Sequence, residues 1–195
     1  MAATASTMLP LGTNMPGFML PDAVSGKLIR SSDIAKGKKA MVVMFICNHC
    51  PYVKHVRAEL AKLARDYGPK GVGFAAISSN DVQSYPDDAP ELMKQEALDA
   101  GYPFPYLYDE DQTIAKVYRA ACTPDFFVFD ANGKLFYRGQ IDDARPRSGV
   151  SANGKDLRNA LDIALRANNS PPERQMPSLG CNIKWKPGNE PDYAR

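Results

Sequence analysis

The chain has 195 residues, 44% of them hydrophobic, and its 24 basic and 22 acidic residues leave a net charge of +2. That length suits one domain with an appendage and a sizeable core, and so balanced a charge excludes the electrostatic footprint of a nucleic-acid or membrane-surface binder. No stretch approaches the ~18 apolar residues of a membrane span. Four cysteines, only two of them closely spaced, do not make a secreted disulfide framework. In a reducing compartment such a pair is catalytic or metal-binding, and the cytoplasm is the expected location.

Residues 1–14 are small, polar and aperiodic, and read as a flexible leader to a domain over residues 15–167. Phe18-Met19-Leu20 and Lys27-Leu28-Ile29-Arg30 form a predicted hairpin around a turn from Asp22 to Gly26, and Ser31 or Ser32 caps a helical turn through Ala35. The apolar run from Met41 to Ile46 is a predicted strand buried on both faces, as in a parallel sheet. It runs into Cys47-Asn48-His49-Cys50-Pro51 and then a helix, on which Val53, Val56, Leu60, Leu63, Ala64 and Tyr67 recur at helical spacing. Gly68-Pro69 ends that helix, and Val72 to Ser78 is a second buried strand reached by a right-handed parallel crossover.

Asn80 to Asp88 is a polar loop, followed by a helix from about Ala89 to Ala100, a short strand or extended link at Tyr106-Leu107-Tyr108, and a helix from Gln112 to Arg119. Asp125 to Phe129 and Lys134 to Tyr137 flank Asn132-Gly133, the signature of an antiparallel hairpin. Asp142 to Val150 is a loop, and Lys155 to Ala167 is the last amphipathic helix. Residues 168–195 are a proline-punctuated extension holding Trp185 and Cys181. Its low unfolded-state entropy and the burial of Trp185 favour docking on the domain.

Cys47 and Cys50 lie about one helical turn apart where a strand meets a helix. Unpaired N–H groups and the helix dipole there stabilise a thiolate, expected at Cys47, and Pro51 suits the first turn because no N–H is needed. By the logic of the motif Cys47 is an exposed nucleophile and Cys50 resolves the mixed disulfide, a dithiol–disulfide couple that calls for no cofactor or metal. His49 is expected to favour the thiolate and make the couple more oxidising. The implied partners are protein or small-molecule disulfides and an electron-donating dithiol system. The alternative from another class is a thiolate metal-binding module built on Cys47, Cys50, His49 and Cys122. Cys122 otherwise exchanges with Cys47 or fills a small apolar space.

Strand, Cys47-x-x-Cys50-Pro51 helix, crossover, and Thr123-Pro124 just before a strand with an antiparallel partner together resemble the thioredoxin fold. The likeness implies an α/β class with a central mixed sheet flanked by helices, an N-terminal hairpin and a C-terminal extension. Met15-Pro16-Gly17-Phe18-Met19-Leu20-Pro21 and the helix before Tyr106 are similar to the peroxiredoxin-like, redoxin-type branch, in those members that keep a thioredoxin-type C-x-x-C. The resemblance implies a cis Thr123-Pro124 bond facing the dithiol, and a second possible activity, peroxide reduction through Cys50. It also marks departures. The peroxiredoxin threonine position is Cys47, the only candidate arginines are Arg119 and Arg145, and the buried acid and the tryptophan of thioredoxins are Met41 and Ile46. Proton transfer then falls to His49, Tyr52 or water.

Overall fold

The computed structural model describes residues 3–167 and 169–194. In chain order its elements are β1 (Thr4–Ala5), β2 (Met19–Pro21), β3 (Leu28–Arg30), α1 (Ser31–Ala35), β4 (Ala40–Phe45), α2 (Pro51–Tyr67), β5 (Val72–Ser78) and α3 (Pro90–Ala100). There follow β6 (Tyr106–Tyr108), α4 (Thr113–Val117), β7 (Cys122–Thr123), β8 (Asp125–Asp130), β9 (Leu135–Gly139), α5 (Lys155–Ala164) and β10 (Leu179–Asn182).

Every residue of β4 is buried, which a strand achieves only at the centre of a sheet covered on both faces. It pairs in parallel with β5, from Ala40 opposite Val72 to Phe45 opposite Ile77, and antiparallel with β8, from Ala40 opposite Asp130 to Phe45 opposite Asp125. The five-stranded order is β6-β5-β4-β8-β9. Alternate side chains of β4 feed two cores. Val42 and Met44 pack with Val53, Val56 and Leu60 of α2, Met93 of α3, and Leu157 and Leu161 of α5. Met41, Val43 and Phe45 pack on the opposite face with Leu9, Phe18, Tyr118 and Ile183. The hairpin of β2 and β3 stands apart as its own two-stranded sheet.

Two expectations need correction. Ser31 does not cap a helix: it lies inside α1, and its Oγ instead accepts from the Phe18 N–H at 3.1 Å, tying the first hairpin together. Nor are residues 3–14 a flexible leader. β1 pairs with β10, Ser6 and Ser178 exchange hydrogen bonds at 3.0 Å, and Leu9 is buried in the second core. A two-residue strand has no periodicity to read, so only its partner strand, with Gly180 opposite Thr4 and Leu179 opposite Ala5, reveals it. Met1, Ala2, Asn168 and Arg195, which the leader and extension readings also took in, lie outside the described residues.

The extension is built into the domain. β10 lies between β1 and β7, pairing Cys181 with Thr123 and Asn182 with Cys122. Beyond it, Gln112 Nε2 donates to the carbonyls of Ser79 and Lys184 at 2.7 and 2.9 Å, and Gln112 Oε1 accepts from Lys186 N–H at 2.9 Å. Trp185 is half-buried against the second core, edge-on to Tyr193.

Candidate active site

β4 ends at Phe45 and α2 begins at Pro51, so the cysteine motif is the connection between them at the C-terminal edge of the sheet, where open α/β sheets place their sites. Cys50 is the residue that caps α2, with Pro51 in the first turn. The favourable helix terminus therefore belongs to Cys50, and Cys47 lies upstream of it. This corrects the expectation of an exposed, dipole-stabilised Cys47: its exposure is 1%, against 0% for Cys50. The cause is tertiary, because the cis-proline loop and the extension close over the motif.

The Thr123–Pro124 peptide is cis. Thr123 Oγ1 lies 3.3 Å from Cys47 Sγ, and the Thr123 carbonyl oxygen lies 3.2 Å from Cys50 Sγ, so one residue touches both sulfurs. Cys181 Sγ lies 2.9 Å from Cys50 Sγ. All four cysteines are buried thiols. Cys122 has its Sγ 3.7 Å from the Pro124 carbonyl oxygen and 4.0 Å from that of Ser178, and burial foremost pushes its thiol well up. An apolar filling role suits that setting better than exchange or ligation.

The pair is electrostatically asymmetric. Hydrogen bonding from Cys47 pulls the Cys50 thiol down to about 5 in spite of burial, and Cys181 and the Val53 amide of the first turn act in the same direction. Its neighbour Cys50 foremost, then burial and the negative charge of Asp88, hold Cys47 well above the ordinary thiol range, with Thr123 pulling it weakly down. Of the two sulfurs, Cys50 is thus the one whose surroundings favour the thiolate.

That asymmetry sets a pH dependence. Cys50 titrates lower when folded than its ordinary 9.0, so its contribution to the stability of the reduced fold is complete above about 9, shrinks as pH falls toward about 5, and is absent below that. Urea midpoints of the reduced protein and of its Cys50→Ser variant should therefore differ more at about pH 8 than at about pH 5. A gap that is the same at both values, or wider in acid, contradicts the lowered Cys50.

Asp88 is the residue that sequence reasoning missed. It ends the short 3₁₀ turn Pro86–Asp88 in the loop read only as polar, and it is fully buried. Its Oδ1 accepts the backbone N–H groups of Asn48 and His49 at 2.7 and 3.2 Å, and its Oδ2 accepts from Asn80 Nδ2 at 2.8 Å and lies 2.6 Å from His49 Nδ1. The loop is pinned further by Asn48 Nδ2 donating to the Asp87 carbonyl at 2.9 Å and by Tyr106 Oη donating to Asn48 Oδ1 at 3.0 Å. His49 stacks on Tyr85, with ring centroids 5.5 Å apart, and its buried Nε2 has no hydrogen-bond partner among the described residues. The expected help from His49 to a Cys47 thiolate is thus opposed by the carboxylate that holds the ring. The one signal that pointed here was position, since this loop follows the C-terminal end of β5 beside the motif.

Cys47, His49 and Asp88 bring one ligand atom each within 4.8 Å of one another, a grouping different from the cysteine-rich set read from sequence. The four acceptor directions of the Asp88 carboxylate are already taken by four donors, which leaves a metal no carboxylate lone pair there. Arg119 and Arg145 are engaged elsewhere. The Arg119 guanidinium lies over the Tyr193 ring, and Arg145 donates to the carbonyls of Asp142 and Ala144 and to Gln140 Oε1. Asp125, next to the cis proline, is a second buried acid that the motifs did not reveal. Burial pushes its carboxyl well up.

Residues 10–154 match the Redoxin family. An uncharacterized conserved protein from Geobacillus kaustophilus superimposes with a TM-score of 0.93 at 55% identity, over 96% of this chain and 98% of that one. A hypothetical protein from Sinorhizobium meliloti 1021 does so with a TM-score of 0.91 at 46% identity, over 95% of this chain and all of that one. Coverage of that breadth takes in most of the residues outside 10–154, including much of the extension. The thiol:disulfide interchange protein DsbE of Allochromatium vinosum is 29% identical over 132 residues, which span 65% of this chain and 66% of that relative. The fold is thioredoxin-like, a central mixed sheet flanked by helices.

Proposed function

The chain belongs to the redoxin family, and from that premise we propose that Cys47 and Cys50 form a dithiol–disulfide couple that reduces or exchanges disulfides. The observation that carries this reading is that Thr123, beside the cis Thr123–Pro124 bond, touches both motif sulfurs, with Cys50 at the cap of α2. Cys47 is the attacking sulfur. Cys47 adjoins the partly exposed Asn48 and His49 in sequence, whereas Cys50 Sγ is in contact with Cys181 of β10. Cys50 takes over the proton of Cys47 as Cys47 attacks one sulfur of a substrate disulfide and the other leaves as a thiolate. Cys50 then attacks Cys47 Sγ, the second substrate sulfur leaves, and the protein holds a Cys47–Cys50 disulfide while the substrate has gained two electrons and two protons, one from the pair and one from water. An external dithiol restores the reduced pair by the reverse exchange. Pro51 starts α2, and Thr123 and Pro124 hold the loop against both sulfurs.

The family membership and the likeness to a thiol:disulfide interchange protein support this chemistry. The natural disulfide partners are protein or small-molecule disulfides, and four thiols with no structural disulfide suit a reducing compartment such as the cytoplasm. Peroxide reduction through Cys50 is the weaker reading, because the two candidate arginines have other partners.

Equilibrating the purified protein with glutathione buffers tests the couple. The expected result is a form lighter by two hydrogens that forms and reverts at a potential between the ~−270 mV of thioredoxin and the ~−120 mV of the strongest oxidants, since a stabilised Cys50 thiolate favours the reduced state. An unchanged mass refutes the couple. Added oxygens after peroxide, with no loss of hydrogens, would favour the peroxidase reading.

A further inference from the structure

The extension ends up where no stabilising role requires a thiol. β10 delivers Cys181 opposite Thr123, the residue that touches both motif sulfurs, and places Cys181 Sγ 2.9 Å from Cys50 Sγ. Two sulfurs at that separation are inside ordinary nonbonded contact, though well outside the ~2.05 Å of a disulfide. The approach is secured by Gly180. A β-carbon there would collide with the Thr123 carbonyl, so only glycine lets the strand run this close to the cis-proline loop. The strand is held from both sides, by Ser178 bonding to Ser6 and by the Lys184 N–H donating to Asn80 Oδ1 at 2.8 Å. Cys50 thus has two sulfur neighbours, Cys47 in its own loop and Cys181 from the extension.

We propose that Cys181 is a third redox cysteine, which takes Cys50 over from Cys47 by intramolecular thiol–disulfide exchange. This rests on the Cys47–Cys50 couple proposed above. Starting from the Cys47–Cys50 disulfide, Cys181 Sγ attacks Cys50 Sγ. The Cys50–Cys181 bond forms, the Cys47–Cys50 bond breaks, and Cys47 leaves with the electron pair and receives the proton that Cys181 gives up. No electrons are gained or lost overall, so the two disulfides are isomers of one oxidised protein. The exchange returns Cys47 to the thiol form and covalently fastens β10 over the site.

Disulfide mapping on the full-length protein decides the matter. After equilibration with oxidised glutathione, acid quenching and alkylation, trypsin places Cys47 and Cys50 together in peptide 40–54, Cys181 in peptide 175–184 and Cys122 in peptide 120–134. The expected result for the wild type is an internal bridge in 40–54 together with a 40–54/175–184 cross-link that fragmentation assigns to Cys50. Because the two are isomers, their ratio should stay constant as the glutathione ratio is varied. The cross-link should become the main oxidised species in Cys47→Ser and vanish in Cys181→Ser, which keeps the internal bridge. An internal bridge in the wild type without any cross-link, together with Cys47→Ser carrying glutathione on Cys50 instead of the cross-link, overturns the role of Cys181 and leaves the couple intact. A cross-link without an internal bridge overturns the couple and leaves the Cys50–Cys181 pairing. The wild-type map stands by itself if Cys47→Ser fails to fold.

Discussion

Replacing Cys47 by serine is expected to reduce insulin reduction to background, a loss of roughly 10³-fold or more, because a hydroxyl in that place neither ionises near neutrality nor forms a disulfide. Cys50→Ser should lose turnover to the same extent but fail at a different step. Cys47 can still attack, and with no sulfur at position 50 the mixed disulfide persists and accumulates as a stoichiometric adduct. Tyr106 and Thr123 continue to frame the loop in both variants, and the hydroxyl keeps nearly the volume of the thiol, so the fold should survive. Mass spectrometry of each variant after exposure to a disulfide peptide distinguishes the roles. A Cys47→Ser protein that reacts with the peptide as fast as the wild type, to a Cys50 adduct or onward to the Cys50–Cys181 cross-link, would make Cys50 the attacking sulfur. That is the natural alternative, since Cys50 is the thiol that its neighbours pull down.

Asp88→Ala is expected to be the most damaging change outside the cysteines. The carboxylate accepts two backbone N–H groups of the motif loop and one Asn80 amide proton and pairs with His49, and all four contacts are buried or partly so. Removing one partner from such a buried set costs about 3–5 kcal/mol, mainly because the groups left behind have no water to turn to. The loss should appear as a lower urea midpoint. Its second effect is electrostatic and opposite in kind. The Asp88 charge is among the influences that raise the Cys47 thiol, so its removal should lower that thiol and quicken alkylation of Cys47 at neutral pH. Asp88→Asn removes the same charge but keeps an oxygen for the loop amides, and should therefore retain more stability with a similar gain in reactivity. Alkylation no faster in either variant would show that Asp88 positions the loop without tuning the dithiol.

Much of the scaffold was legible because it rests on local patterns. The uninterrupted apolar run of β4 announces a doubly covered strand, the spacing of Val53, Val56, Leu60 and Leu63 announces the buried face of α2, and Gly133 at φ 69° completes the turn between β8 and β9. The connection carrying Cys47 and Cys50 followed from those two elements alone, since a strand that runs directly into a helix must place its junction at the edge of the sheet.

What the sequence by itself determined, then, is the order of strands and helices around Cys47 and Cys50 and the placement of these two at the junction of β4 and α2, because hydrophobic period and turn chemistry act over a few residues at a time. Only the tertiary structure decided the surroundings of those sulfurs. Burial of Cys47, the grip of Asp88 across about 40 residues, the two-residue pairing of β1 with β10, and the approach of Cys181 to Cys50 from 131 residues away depend on contacts between distant segments. Such contacts leave no period in the chain. They arise where the closed domain brings separate backbone edges and buried polar groups within hydrogen-bonding reach of one another.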